Sequence, residues 1–243
     1  MAVALRGDCA LLRSTLGDDE FRNATSIYNA LPDISEQGDV DRERLILLGN
    51  LFVLHSMEGQ FGVHLLHSHH PIPDDTILLG TSYKVPPVRR WAKPTRIEDL
   101  RGTNLHGHTY AVRDGSLRPY EFQSGSAPEL SGPNVQAFLE EFCKLVEDKG
   151  LQNQIALEIL DSEAADRTPM LEFIVDQENH VLVEAKAAQQ SDSLRPTGWV
   201  FVAERSGVTL KGNTAYAGNS GEHKTFTDGK PLTIEKLGKL VPA

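Results

Sequence analysis

The sequence predicts an α+β protein: a largely antiparallel β-sheet or barrel-like core with N-terminal helices and one central amphipathic helix. Three observations carry that expectation. Apolar residues recur at helical spacing before residue 58 and again from Val135 to Val146. Short β-branched runs bounded by Gly, Pro and Asp fill most of the remainder. No regular alternation of strand and helix occurs, which disfavours a parallel sheet built from βαβ units. With 243 residues, 40% apolar and 24% charged, the chain can bury a substantial core. It reads as one domain, residues 1–243, with a helical segment at about 10–58 and a mixed β region at about 61–243.

Taken in order, residues 10–31 read as one or two helical pieces stopped by Pro32, because a proline disfavours helix in the residue before it. The next segment places Leu45, Leu48, Leu51, Phe52 and His55 on one helical face and offers Gly59 as a stop. "FGVHLLHSH" and "DTILLGTSY" read as strands around a Pro71-Ile72-Pro73 corner, followed by a proline-rich irregular connector from Lys84 to about Gly102. Asp114-Gly115 marks a hairpin tip. Residues 123–133, rich in Gly, Ser and Pro, read as an exposed loop suited to a lid. After Pro133, Val135, Phe138, Leu139, Phe142, Leu145 and Val146 form one apolar stripe, with Glu140 and Glu141 opposite and Gly150 at the end. "NQIALEIL", "MLEFIVD", "HVLVEAKA", "GWVFVAER" and "GVTLKG" supply further strands, and a short helical tail is expected from Leu232.

Composition excludes several classes of function. A net charge of −10 and a pI of 5.4 oppose attraction to phosphate backbones, so neither nucleic acid nor an anionic membrane surface is expected as a partner. The longest apolar run, Leu45 to Leu54, is about half a bilayer span and is interrupted by Gly49 and Asn50. Arg6 and Asp8 interrupt what a signal peptide would need, and the expected compartment is cytoplasmic. Cys9 and Cys143 make no disulfide framework and no C-x-x-C pair. Neither a P-loop, a Gly-x-Gly-x-x-Gly turn nor a Gly-x-Ser-x-Gly elbow is present.

The chemistry lies in the histidines. Six of nine fall in two short segments, and each contains Leu-His-small-His: Leu66-His67-Ser68-His69 and Leu105-His106-Gly107-His108. In a strand, side chains two apart share a face, so each pair presents two imidazoles, and two such strands could converge His67, His69, His106 and His108 on one ion. Alternation puts His64 and His70 on the opposite face unless the strand is bulged. Asp74, Asp75 and His70 are the adjacent candidates for an assisting ligand or a catalytic acid or base. His180 and His223 read as surface residues and His55 as a core histidine.

Gly62, His67, His69, Asp74 and Gly80 also fall in the order of the first motif of the cupin family. The segment resembles that motif with two spacings shortened and Asp in place of Glu, and the second cupin motif has no match. The resemblance covers about twenty residues and implies a β-barrel with a histidine-bound metal.

Between the histidine segments, Lys84, Arg89, Arg90, Lys93, Arg96 and Arg101 form a local cationic stretch around Trp91 that could receive an anionic substrate. The leading expectation is therefore a metal-dependent enzyme acting on a small organic molecule. The cofactor would be a divalent transition metal, iron ahead of zinc or copper, with oxidation ahead of hydrolysis. A metal-free isomerase, dehydratase or cyclase using a histidine acid-base, and a non-catalytic ligand-binding or interaction protein, are the alternatives. The oligomeric state is left open.

Overall fold

The structure is a computed structural model that describes residues 16–84, 88–130, 134–160, 170–175, 178–184, 194–205, 207–219, 222–223, 226–227 and 230–231. The expected helix start at residues 10–15, the end of the 123–133 loop, the side chain of His223 and the tail from Leu232 lie outside the described residues.

The main strands are β1 (Phe61–Leu65), β2 (Thr76–Ser82), β3 (Val88–Arg96), β4 (Leu105–Arg113), β5 (Ser116–Ser124), β6 (Ile155–Ile159), β7 (Met170–Val175), β8 (Asn179–Glu184), β9 (Leu194–Glu204) and β10 (Gly207–Asn219). They run β10-β7-β8-β3-β2-β5-β4-β6-β1-β9, and β9 pairs back onto β10, so ten strands close into a barrel. The parallel pairings among them are β2 with β5 and β10 with β7; the other neighbours are antiparallel. Closure removes the free sheet edges that would otherwise invite pairing with another chain.

In a closed barrel the two-residue period sorts side chains into an outward and an inward row. On one side the outward row carries Phe61, Val63, Tyr110, Val112, Ile155, Leu157, Ile159 and Phe201, packed against two helices. These are α2 (Arg42–His55), which buries Leu45, Leu48, Leu51, Phe52 and His55, and α3 (Val135–Asp148), which buries Val135, Phe138, Leu139, Phe142, Cys143 and Val146. Phe52 links the layers, 4.5 Å from Phe201 and 4.9 Å from Phe138. Burial pushes the Cys143 thiol up to about 11, which keeps it inert.

Helix α2 is capped by the Asp41 side chain, which accepts from Glu43 N at 2.7 Å, and ends at Ser56 in the left-handed region, before the expected Gly59. It lies close to the sheet through Gly49, where a Cβ would meet Phe201 Cδ1 and Val208 Cγ1 at 2.6 Å each. Gly49→Ala should gain about 1 kcal/mol of helix propensity and lose about 1–3 kcal/mol to overpacking. The expected net is a lower midpoint in urea with an unchanged slope, and a stabilised variant would contradict the close approach.

Helix α1 (Asp18–Asn29) sets Phe21 and Ala24 against Ile77 and Phe122 on the outside of β2 and β5. Its last turn carries Tyr28 into a different cluster, with Leu66, Ile72, Leu78, Ala92, Ala111, Tyr120 and Ala156. Leu78, Ala92, Ala111 and Ala156 belong to the inward rows, so the end of α1 reaches the barrel interior.

Two departures from the sequence reading matter. The stretch expected to be an irregular connector contains β3, with Pro94 inside it. Proline is tolerated there because pairing with β8 ends at Ala92, two residues earlier, so no ladder donor is missed on that side. Likewise the polar residues after Gly212 continue as β10 to Asn219. The Asp114-Gly115 tip is as expected, with φ of 49° and 68°, the pair of positive angles a tight hairpin requires.

Candidate metal centre inside the barrel

β1 stops at Leu65, and the next residues are held by a different partner. Ser68 N donates to the Pro32 carbonyl at 2.8 Å, Ile34 N to the Ser68 carbonyl at 3.2 Å, and Ser68 Oγ to the Leu31 carbonyl at 3.0 Å. The connector after α1 thus acts as a short parallel strand beside residues 66–69. Ser68 faces the connector, which turns its neighbours His67 and His69 together into the barrel.

There they meet Glu172 of β7. His67 Nε2 and His69 Nε2 are 3.2 Å apart, His69 Nε2 is 3.1 Å from Glu172 Oε1, and His67 Nε2 is 3.5 Å from Glu172 Oε2. Around an ion with bonds of about 2.1 Å, donor atoms lie about 3.0 Å apart at octahedral angles and about 3.4 Å at tetrahedral ones. The two imidazole nitrogens sit at such a spacing and each lies near one oxygen of Glu172, so the three side chains, with one donor atom each within 4.8 Å of the others, form a group able to hold a metal. His67 is also oriented for the task. Its Nδ1–H donates to the Leu65 carbonyl at 2.7 Å, which leaves the Nε2 lone pair of the neutral ring directed at the cluster. Glu172 Oε2 receives Thr197 Oγ1 at 3.4 Å, and Thr197 reaches Thr214 at 3.2 Å.

The surroundings are unusually charged for an interior. The buried side chains with formal charge, among the described residues, are Glu121, Glu158, Glu172 and Arg90. Three carboxylates against one guanidinium leave an excess of two negative charges unless imidazoles are protonated, a costly burial that a divalent cation would cancel. Arg90 Nη1 is 3.2 Å from Glu121 Oε2, and His108 Nε2 is 3.5 Å from Glu158 Oε1. Burial alone would raise the Glu172 carboxyl, but His69 and then His67, by charge and hydrogen bond, hold it well below the usual range. For His67, burial opposes the charged form and Glu172 outweighs it, so its pKa is raised.

His180 on β8 faces the same interior. Its ring lies 4.7 Å from that of His69, its Nε2 shares a hydrogen bond with Tyr28 Oη at 3.3 Å, and burial followed by His69 lowers its pKa well below normal. His64 stacks on His67 at 5.2 Å and 24°, and burial, then His67, lowers its pKa as well. A histidine lowered on folding stays neutral inside while the unfolded chain takes a proton near pH 6.5, so stability falls with pH through that value. His67, raised, works in the opposite sense and loses its contribution as pH rises. Metal-free protein should therefore lose about 1–3 kcal/mol between pH 7.5 and 5.5 by urea denaturation, and His180→Phe should flatten that slope. An equally steep slope in the variant would show that His180 is not kept neutral.

Of the residues singled out from the sequence, the structure brings together His67 and His69. Alternation breaks after β1, with Leu66 and His67 both inward, which is why His64 joins the same interior. His106 goes elsewhere: it is half-buried, with Nδ1 donating to the Gly125 carbonyl at 3.1 Å. His108 is buried but paired with Glu158, after β4 bulges between Gly107 and Thr109. Asp74 and Asp75 are exposed in the turn before β2, where Asp75 lies 3.5 Å from Arg96. The carboxylate beside the two imidazoles is Glu172 instead. His70 lies beside His180, with ring centroids 5.4 Å apart, rather than in the ligand group. Strand alternation turns Arg90 inward and Arg89 outward to Glu184, and Arg96, exposed at the end of the strand, pairs with Glu98. His180 is buried rather than at the surface.

Glu172 and His180 went unrecognised in the sequence. A signal was present, since "MLEFIV", "IALEI" and "PYEF" each set one glutamate among residues that a strand buries on both faces. Compared with known proteins, the chain matches no family model, no curated sequence and no solved structure.

Proposed function

We propose that the protein is a metal-dependent enzyme acting on a small organic molecule inside the barrel, with His67, His69 and Glu172 as ligands of a divalent transition metal. The observation that carries this reading is the convergence of three side chains from two distant parts of the chain, with one donor atom from each within 4.8 Å of the others. The excess of buried carboxylate supports it independently. Two imidazoles and one carboxylate leave coordination positions open, the donor set of non-haem iron(II) oxygenases, and the same set also serves hydrolytic zinc. Iron and oxidation are the first choice. When bound, such an ion supplies Lewis acidity or one-electron chemistry at its open positions. The chain's own part is to orient His67 through the Leu65 carbonyl, steady Glu172 through Thr197 and wall the site from bulk water.

Elemental analysis of untagged protein purified without oxygen tests this. Near-stoichiometric iron that disappears in the His67→Ala/His69→Ala double variant is expected. Zinc in its place would redirect the chemistry to hydrolysis, and protein that neither carries nor takes up a transition metal would refute the reading.

A further inference from the structure

Two polar groups of the barrel interior have no hydrogen-bond partner among the described residues: the Tyr120 hydroxyl and His64 Nδ1. Tyr120 is 1% exposed. Buried polar atoms are nearly always paired, so an orphan hydroxyl and an orphan ring nitrogen in one interior call for a partner from outside the chain.

Both border the same part of the barrel interior. Both sense the same carboxylates, Glu121, Glu158 and Glu172. Tyr120 packs with Ala111 and Ala156, and Ala156 is the cross-strand neighbour of His64. On its other side His64 pairs with Gly198, so nothing larger than a methyl group flanks its ring within the sheet. The His64 ring in turn stacks on the ligand His67.

Charge selects the class of guest. The interior already holds more carboxylate than guanidinium, and Arg90 is committed: Nε donates to Gln123 Oε1 at 3.1 Å, Nη1 to Glu121 Oε2 at 3.2 Å and Nη2 to the Phe122 carbonyl at 3.4 Å. With a divalent ion cancelling the two excess charges, an anionic guest would restore the imbalance and find no side-chain cation to pair with. A phenol, by contrast, donates to a neutral oxygen. We propose that Tyr120 and His64 form the binding site for a small uncharged oxygen compound, a ketone, aldehyde or alcohol, whose oxygen accepts the Tyr120 O–H while His64 contacts it beside the metal ligands. This rests on the reading above only in making that compound the substrate, and it replaces the anionic substrate suggested by the cationic stretch.

The test titrates full-length protein, as purified, with cyclopentanone and with cyclopentanecarboxylate by calorimetry, and measures metal content on the same samples. Saturable binding of the ketone is expected, with the carboxylate at least about tenfold weaker. Tyr120→Phe should weaken the ketone by about three- to tenfold, the loss of one hydrogen bond, and His64→Leu should also weaken it. Because Phe removes an unpaired buried hydroxyl, Tyr120→Phe should melt no lower than the native protein. The site is refuted by absent ketone binding, by unchanged binding in Tyr120→Phe, by equal binding of the carboxylate, or by a lower Tm in Tyr120→Phe, which would show a partner within the fold. Ketone binding to protein that takes up no metal would sink the metalloenzyme reading and leave the site standing; a metal-loaded protein that binds no ketone would do the reverse.

Discussion

Glu172→Gln is expected to weaken metal binding by more than about 100-fold, because changes to groups that merely orient ligands already cost about 10–100-fold and this one removes a donor itself. Glutamine keeps the shape of the side chain, so the loss isolates the anionic donor from packing. The same substitution should alter acid stability without metal. A carboxyl held below its unfolded value stabilises the fold above about pH 4.3, and the benefit disappears as pH falls through the folded value. The variant should therefore be less stable by about 1–3 kcal/mol at pH 7 and converge with the native protein in acid. Competition with a chelator measures the first effect and urea denaturation across pH the second. A variant retaining full metal occupancy would remove Glu172 from the site.

Arg90→Met should be as severe for folding. Its guanidinium occupies space opened by Gly80, where a Cβ would lie 2.5 Å from Arg90 Nε and 2.7 Å from Gln123 Oε1. Removing one partner of a buried ion pair costs about 3–5 kcal/mol, since the remaining charge is left without water or counterion. Burial alone would raise the Glu121 carboxyl, and Arg90 is the foremost group holding it down. In the variant that carboxyl rises, so its penalty should be greatest at neutral pH and shrink as Glu121 takes a proton. Adding Glu121→Gln should recover much of the loss. A single variant as stable as the native protein would mean that the interior is wetter than its burial implies.

The two lessons from the sequence differ in kind. The apolar faces of helices α2 and α3 were readable because each buries one side, though the end of α2 was not, and Asp114-Gly115 was readable because a tight turn has its own chemistry. Closure of the sheet was not. Strands buried on both faces show no alternation, so Glu158 and Glu172 looked like isolated charges in apolar runs, and β3 was hidden by its proline and arginines. His67 and His69 were legible as a pair because two-residue spacing suffices to aim both rings. His106 and His108 share that spacing, yet the bulge in β4 separates them, and no local pattern announced it. The carboxylate that meets His67 and His69, Glu172, lies 103 residues from His69, beyond the reach of any short motif.

That long separation has a kinetic meaning. Residues 66–69 are fastened to the connector after α1, whereas Glu172 arrives with β7, and contacts so distant in the chain form late because a large loop must close before anything rewards it. A nascent chain lacking β7 would own both imidazoles and hardly any grip on an ion. Uptake of metal during refolding should then report the joining of the last strands, and supplying the ion should slow global opening by favouring the closed ring.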